Sequence, residues 1–295
     1  MSDDFYGLPT RSIENDHLRL DYLATAGPRL VRLILAGSTD NLFAETPDAH
    51  WPTPWGEYFL RGGHRVVVAP EALDLSYVPD NAGLLFEDVP NGVRLIRPTE
   101  GPSGFSKSIE IQLQPDRPAL TLRHTVRNDR SEPIEIAAWA VTQMCLGGIA
   151  VAPLRTTSLL NRSQPDRQVV LWPYSSWEDE RLFADDEYVW IAAQPVDAEL
   201  KVGVLARGWL GYLSADVFFL KRFDPQLARP HPDLNTNAQL YCNAGNIELE
   251  SLAPLMLLEP GEASVHFETW EIYRAEDVPP TIEGLRAWLS TLHLD

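Results

Sequence analysis

Short runs in which apolar and polar residues alternate with a period of two recur along most of this chain, separated by clusters of Pro, Gly, Asn and Asp. The clearest lies near the end. In Ile247-Glu248-Leu249-Glu250-Ser251 the period puts Ile247, Leu249 and Ser251 on one face of a strand and Glu248 with Glu250 on the other. Glu259-Pro260-Gly261-Glu262 has turn chemistry, with Pro fixing φ and Gly free to take a positive one. Residues 265–273 then alternate again, with His266, Glu268, Trp270 and Ile272 sharing one face. A carboxylate pair in a half-apolar strand must face water or a polar cleft with partners, because burying an unpaired charge is costly.

The same reading predicts strands over 17–23, 29–36, 65–68, 73–77, 84–87, 93–97, 107–113, 119–128 and 134–146. In the second half it predicts them over 168–171, 188–194, 201–206, 208–214 and 217–223. Asn91-Gly92 marks a hairpin turn. Residues 37–58, with Pro47, Pro52 and Pro54, read as a long irregular loop, and 172–186 as an acidic stretch with one short helix. Only the C-terminus is clearly helical: Asp277-Val278-Pro279-Pro280 is a start signal, and Ile282, Leu285, Trp288, Leu289 and Leu292 recur at helical spacing. No repeat or linker interrupts the series, so 1–295 reads as a single domain. So many short strands bury their apolar faces best as an all-β, large antiparallel sandwich, with the helix capping a sheet.

Composition narrows the function classes. The 295 residues are 44% hydrophobic and 22% charged, which is an ordinary folded composition. A formal net charge of −18 argues against a nucleic-acid partner or an anionic membrane surface, both of which need a basic footprint. The start, MSDDFYGLPT, lacks the basic and apolar parts of a secretory signal, and no apolar run approaches the ~20 residues of a membrane span. The cytoplasm is the expected location. Cys145 and Cys242 are expected as buried free thiols. No metal-ligand spacing appears among the histidines, and no cofactor motif is present, so neither a metal nor a cofactor is expected; His124, His231 and His266 read as structural.

Four groups remain as candidate chemistry. Gly62-Gly63 permits a tight turn that would present His64 and Arg65 to a cleft, where an arginine fork suits hydroxyls or anions. Lys221 ends the apolar run 217–220 on the face of Val217 and Phe219, which points it inward and demands a carboxylate or an anionic ligand; Glu250 is the expected partner. Glu248 and Glu250 are carboxylates of the kind a tuned acid–base site uses. Trp51, Trp55, Tyr58 and Trp139 offer rings on which sugar faces stack.

Stretches of the chain resemble the galactose mutarotase superfamily, in particular divergent aldose 1-epimerase-like branches. These are the opening hairpin ENDHLRLDYLATAGPRLVRLILAGSTDNLF, the segment Gly62-Gly63-His64-Arg65 with Ala69-Pro70-Glu71, the run TLRHTVRNDRSEPIEIAAWAVTQM, and Leu249-Glu250-Ser251. The resemblance implies the superfamily's supersandwich with a carbohydrate site in the concave face of a sheet. It carries the general base to Glu250 and a substrate-binding arginine to Arg65. The family's histidines have no counterpart beside Gly104-Phe105-Ser106-Lys107 or in Ala138-Trp139-Ala140-Val141-Thr142. His64, which titrates near neutrality, stands in as the acid. Lys221, Glu248 and Trp139 join Arg65 as substrate-binding groups. The expected partner is therefore a small-molecule carbohydrate, handled by an epimerase-like isomerase; the alternative is a non-catalytic carbohydrate-binding protein on the same scaffold, with an anionic sugar among its options.

Overall fold

The structure is a computed structural model that describes residues 4–155, 163, 165–292 and 294. The period-two runs become two stacked antiparallel sheets and a separate hairpin. The first sheet has 11 strands, and its centre runs Arg29–Leu35, His64–Ala69, Ile134–Met144, Ile247–Leu252, Ala238–Cys242, Leu200–Val204 in spatial order. The second has 10, centred on Trp209–Ser214, Val217–Phe223, Ala263–Arg274, Ala119–Asn128 and Phe105–Leu113. One continuous core joins them: Ile247, Leu249 and Leu240 of the first sheet pack in it with Phe219, Trp270 and Leu122 of the second. Alternation makes this possible, since each strand sends every other side chain inward.

Around Glu250 pattern and fold agree closely. Ile247 and Leu249 are core residues, and after the short strand Met256–Leu258 the strand Ala263–Arg274 buries His266, Glu268, Trp270 and Ile272 as the alternation requires. Between them the turn closes with the Glu262 N–H donating to Glu259 O at 2.9 Å and Gly261 at φ 88°. The Asn91 hairpin also forms, with Asn91 at φ 56°.

Four local expectations need correction. Residues 37–58 are not an irregular loop: Glu45–Thr53 and Gly56–Gly62 pair as a hairpin, because alternating side chains outweigh the prolines at an edge that needs few ladder bonds. Leu73–Ser76 is one helical turn, not a strand, tied down by the Ser76 hydroxyl donating to Val68 O at 2.7 Å. No helix lies within 172–186; Leu182–Ala184 is a short edge strand there. Cys145 is exposed, its thiol directed at Phe43 O, while Cys242 is buried.

The C-terminal helix spans Ile282–Leu289, with the Thr281 side chain accepting from Gly284 N–H at the N-cap. Its Leu285, Leu289 and Trp288 cover Phe218, Leu220 and Trp209 on the outer face of the second sheet. That leaves the outer face of the first sheet open around Arg65 and Glu248. No helix among the described residues is long and apolar enough to cross a membrane.

Candidate functional site

The floor of the site is set by strand register. Arg61, Gly62 and Gly63 all take positive φ (62°, 85° and 68°), and a Cβ on Gly63 would lie 1.8 Å from Leu30 O, so this turn requires glycine. The chain leaves it as the strand His64–Ala69. There Arg65 lies opposite Val141, Val141 opposite Glu250, and Glu250 opposite Gln239. Directly opposed residues share a face, so these four form one row on the outside of the first sheet. The next row on that face is Gln143, Glu248, Tyr241 and Lys201.

The side chains of these rows bond to one another. Glu250 is fully buried; its Oε2 accepts from Trp139 Nε1 at 2.8 Å and from Lys201 Nζ at 3.0 Å, and its Oε1 has no partner. The Lys201 ammonium also lies over the rings of Trp139 (4.7 Å) and Trp172 (4.9 Å). Arg65 donates from Nη1 to Gln143 Oε1 at 2.8 Å, and its Nη2 lies 3.6 Å from Glu248. Burial above all, opposed by Lys201 and aided by the Glu248 charge, pushes the Glu250 carboxyl up to about 7. A carboxyl that exchanges its proton near neutrality can serve as acid or base.

Above this floor is a cleft of about 400 Å³ whose wall includes Arg65, Trp139, Lys201 and Glu248, with Trp51 and Tyr77 at its rim. Among the described residues no imidazole lines it. Trp55 sits half-exposed at the hairpin tip, away from the cleft wall, and Tyr58 is buried against Trp51 and Tyr77.

Two candidates lie elsewhere. His64 and Arg65 are consecutive in a strand, so they point to opposite faces, and His64 enters the core between the sheets. Lys221 comes from the second sheet and meets the first from behind: its ammonium is 2.9 Å from Glu268 and donates to Leu249 O, Ala140 O and Thr142 Oγ1. It sees Glu250 only through the strand that carries it. The cation at Glu250 is Lys201, which the sequence analysis did not single out; the lone Lys in the apolar alternation Leu200, Val202, Val204 was the signal available.

The core polar groups form a chain with a determined direction. His124 Nδ1–H donates to His266 O, which leaves its Nε2 to accept from His64 Nε2–H at 2.8 Å. His64 Nδ1 then accepts from Thr142. His266 Nε2–H donates to Ser251 Oγ at 2.7 Å, and Ser251 donates to Glu268 at 2.5 Å. Burial disfavours a charge on any of the three imidazoles and holds each below the ordinary value, His266 down to about 3, so they are neutral. Burial opposes the Glu268 charge, but the Lys221 ammonium holds that carboxyl far below its usual range. Ligand atoms of His64, His124 and Glu268 lie within 4.8 Å of one another, a spacing a metal ion could bridge. The Lys221 ammonium already supplies the cation there, and the two ring nitrogens are at hydrogen-bond distance.

No family model matches the sequence, and no curated protein matches it either. Solved structures do. A galactose mutarotase-like protein from Lactobacillus casei ATCC 334 superposes with a TM-score of 0.59 at 11% identity, over 90% of this chain and 100% of that one. A galactose mutarotase related enzyme from Lactobacillus acidophilus gives 0.52 at 10%, over 91% and 98%. A TPR-domain containing protein from Parabacteroides distasonis ATCC 8503 gives 0.62 at 14%, over 94% of this chain and 48% of that one. At such identities the likeness is one of fold, and the fold of this chain is that of the galactose mutarotase-like proteins.

Proposed function

We propose that this chain binds a carbohydrate in the cleft on the first sheet and interconverts its anomers, with Glu250 as the proton-accepting group. The observation that carries this reading is the state of Glu250. It is a buried carboxyl near pKa 7, with one oxygen held by Trp139 and Lys201 and the other without a partner. In anomer exchange the base takes the O1 hydroxyl proton as the ring C1–O5 bond breaks, and an acid protonates O5. The open-chain carbonyl then rotates and the steps reverse, so no proton is gained or lost. Lys201 is the cation paired with Glu250 and takes the acid role here, while Arg65 and Glu248 hold substrate hydroxyls. The unpartnered Arg65 Nε, a donor on a residue of the cleft wall, supports a hydroxyl-bearing ligand.

The second reading is binding without catalysis, favoured by the complete burial of Glu250 and a cleft wall without imidazole among the described residues. NMR of freshly dissolved α-aldoses separates the two. Faster anomer exchange with the protein than in buffer, lost in Glu250→Gln, supports the isomerase. Saccharide binding without acceleration leaves the binding protein. Absence of any saccharide binding overturns both.

A further inference from the structure

We infer that the ligand of this cleft is an amino-sugar chain, longer than one unit and positively charged; this deepens the carbohydrate reading and rests on it. Size is the first argument. Past Trp51, Glu71 and Tyr77 the 400 Å³ cleft continues into a second lobe of about 610 Å³ that adds Trp172 and Asp233. Ligand pockets for a whole small molecule span about 300–1,000 Å³, so two joined lobes exceed the need of a single sugar ring. The rings of Trp51 and Tyr77, 5.3 Å apart at the junction, and Trp172 beyond it, provide stacking faces along the path.

Charge is the second argument. The two cations of the cleft are already matched, Lys201 by Glu250 and Arg65 by Glu248. Glu71, Glu199 and Asp233 are not. Glu71 accepts from the Tyr77 hydroxyl, Glu199 from the Tyr241 hydroxyl at 2.6 Å, and Asp233 from Gln239 Nε2 at 2.7 Å. All three donors are neutral, so three carboxylates face the lobes without a cation in ion-pair reach among the described residues. A uronate or sugar phosphate would bring further negative charge to this wall. An ammonium on C2 of a sugar brings the missing countercharge, and a neighbouring hydroxyl meets the unpartnered Arg65 Nε of the cleft wall.

Isothermal titration of the full chain at pH 6.5 and low salt tests this with three tetramers: β-1,4-linked glucosamine, its N-acetylated counterpart, and galacturonate. The glucosamine tetramer should bind about tenfold more tightly than the acetylated one, and the galacturonate should not bind, as charge complementarity requires. Monomeric glucosamine should bind more weakly than the tetramer. Affinity for the cationic tetramer should fall about tenfold in Glu71→Gln/Glu199→Gln and with added salt. It should be unchanged in Asp277→Asn/Glu283→Gln, which neutralises acids near the far helix and controls for loose attraction to an acidic surface. Equal binding of the two tetramers, preference for galacturonate, or an equal loss in the far-side control overturns the inference and leaves a neutral-sugar cleft standing. Absence of binding by all three overturns the inference, while the carbohydrate reading stands or falls separately on the free aldoses.

Discussion

Glu250 takes its counter-cation from Lys201, 3.0 Å away and two strands across the first sheet, while Lys221 lies behind it in the core. The two lysines thus serve two separate carboxylates on either side of the strand Ile247–Leu252, Glu250 on its outer face and Glu268, from the second sheet, behind it. Each pair is buried, so each makes a different demand on stability and on pH.

Replacing Glu250 by Gln changes the pH dependence of stability in a predictable sense. The carboxyl sits near 7 in the folded protein against an ordinary 4.5. A carboxyl raised on folding contributes stability that is fully present below the unfolded value and is lost as pH rises through the folded one. Wild type should therefore lose on the order of 2 kcal/mol relative to the variant across that window. Urea unfolding at pH 5 and pH 8 checks this: the variant should gain on wild type toward pH 8, and a constant gap would mean an unshifted carboxyl.

Lys201→Met strips Glu250 of its cation and leaves only the Trp139 N–H. At pH 8 this should cost about 3 kcal/mol, the usual consequence of orphaning a buried charge. Near pH 5 the cost should shrink, because Glu250 can take a proton instead. Adding Glu250→Gln should restore most of the loss, measured as a coupling energy in a double-mutant cycle. Additive losses would show that the two side chains do not act as a pair.

Lys221→Met is expected to cost about 3–5 kcal/mol, since Glu268 would be left buried without its cation. Saccharide affinity of the remaining folded protein should stay within about twofold, because a solvent-side ligand gains little from a charge behind the sheet. Thermal unfolding and titration on the same sample separate the effects. A large loss of affinity with little loss of stability would return Lys221 to the site.

The core imidazoles predict acid sensitivity. His64, His124 and His266 are buried and neutral, each held below the ordinary 6.5. A histidine depressed on folding contributes stability that is present above its unfolded pKa and is lost as pH falls below it, where only the unfolded chain takes up the proton. These three groups give a slope of up to about 4 kcal/mol per pH unit below pH 6.5, from roughly 1.4 per group, with His231, also lowered by burial, adding to it and Glu250 opposing it. Urea midpoints at pH 7, 6 and 5 should fall steeply, and His124→Gln should flatten the fall by roughly a quarter, its share of four lowered imidazoles. A level profile would mean that the folded core itself accepts these protons.

Much of the fold is legible in the alternation, because a strand's inward and outward faces are a local property. Glu248 and Glu250 separate from Leu249 by counting alone, and so do His266, Glu268 and Trp270 from their neighbours. The same count separates His64 from Arg65, yet the sequence reading set both in the cleft, because the preceding glycines suggested a turn and not the start of a strand. Where prolines dominated, as in 45–53, local propensity misled, since pairing with a neighbour decided the outcome.

By itself the sequence determined an all-β sandwich, the turns that join its strands, the closing helix, and which acids leave the core. Only the tertiary structure decided that Lys201 and not Lys221 meets Glu250, that a chain of imidazoles lies between the sheets, and that two cleft lobes run together past Trp51. The reason is physical. Facing along a strand repeats every two residues and is written locally, whereas strand order joins segments such as 200–204 and 247–252 through hydrogen bonds and burial that no short stretch encodes.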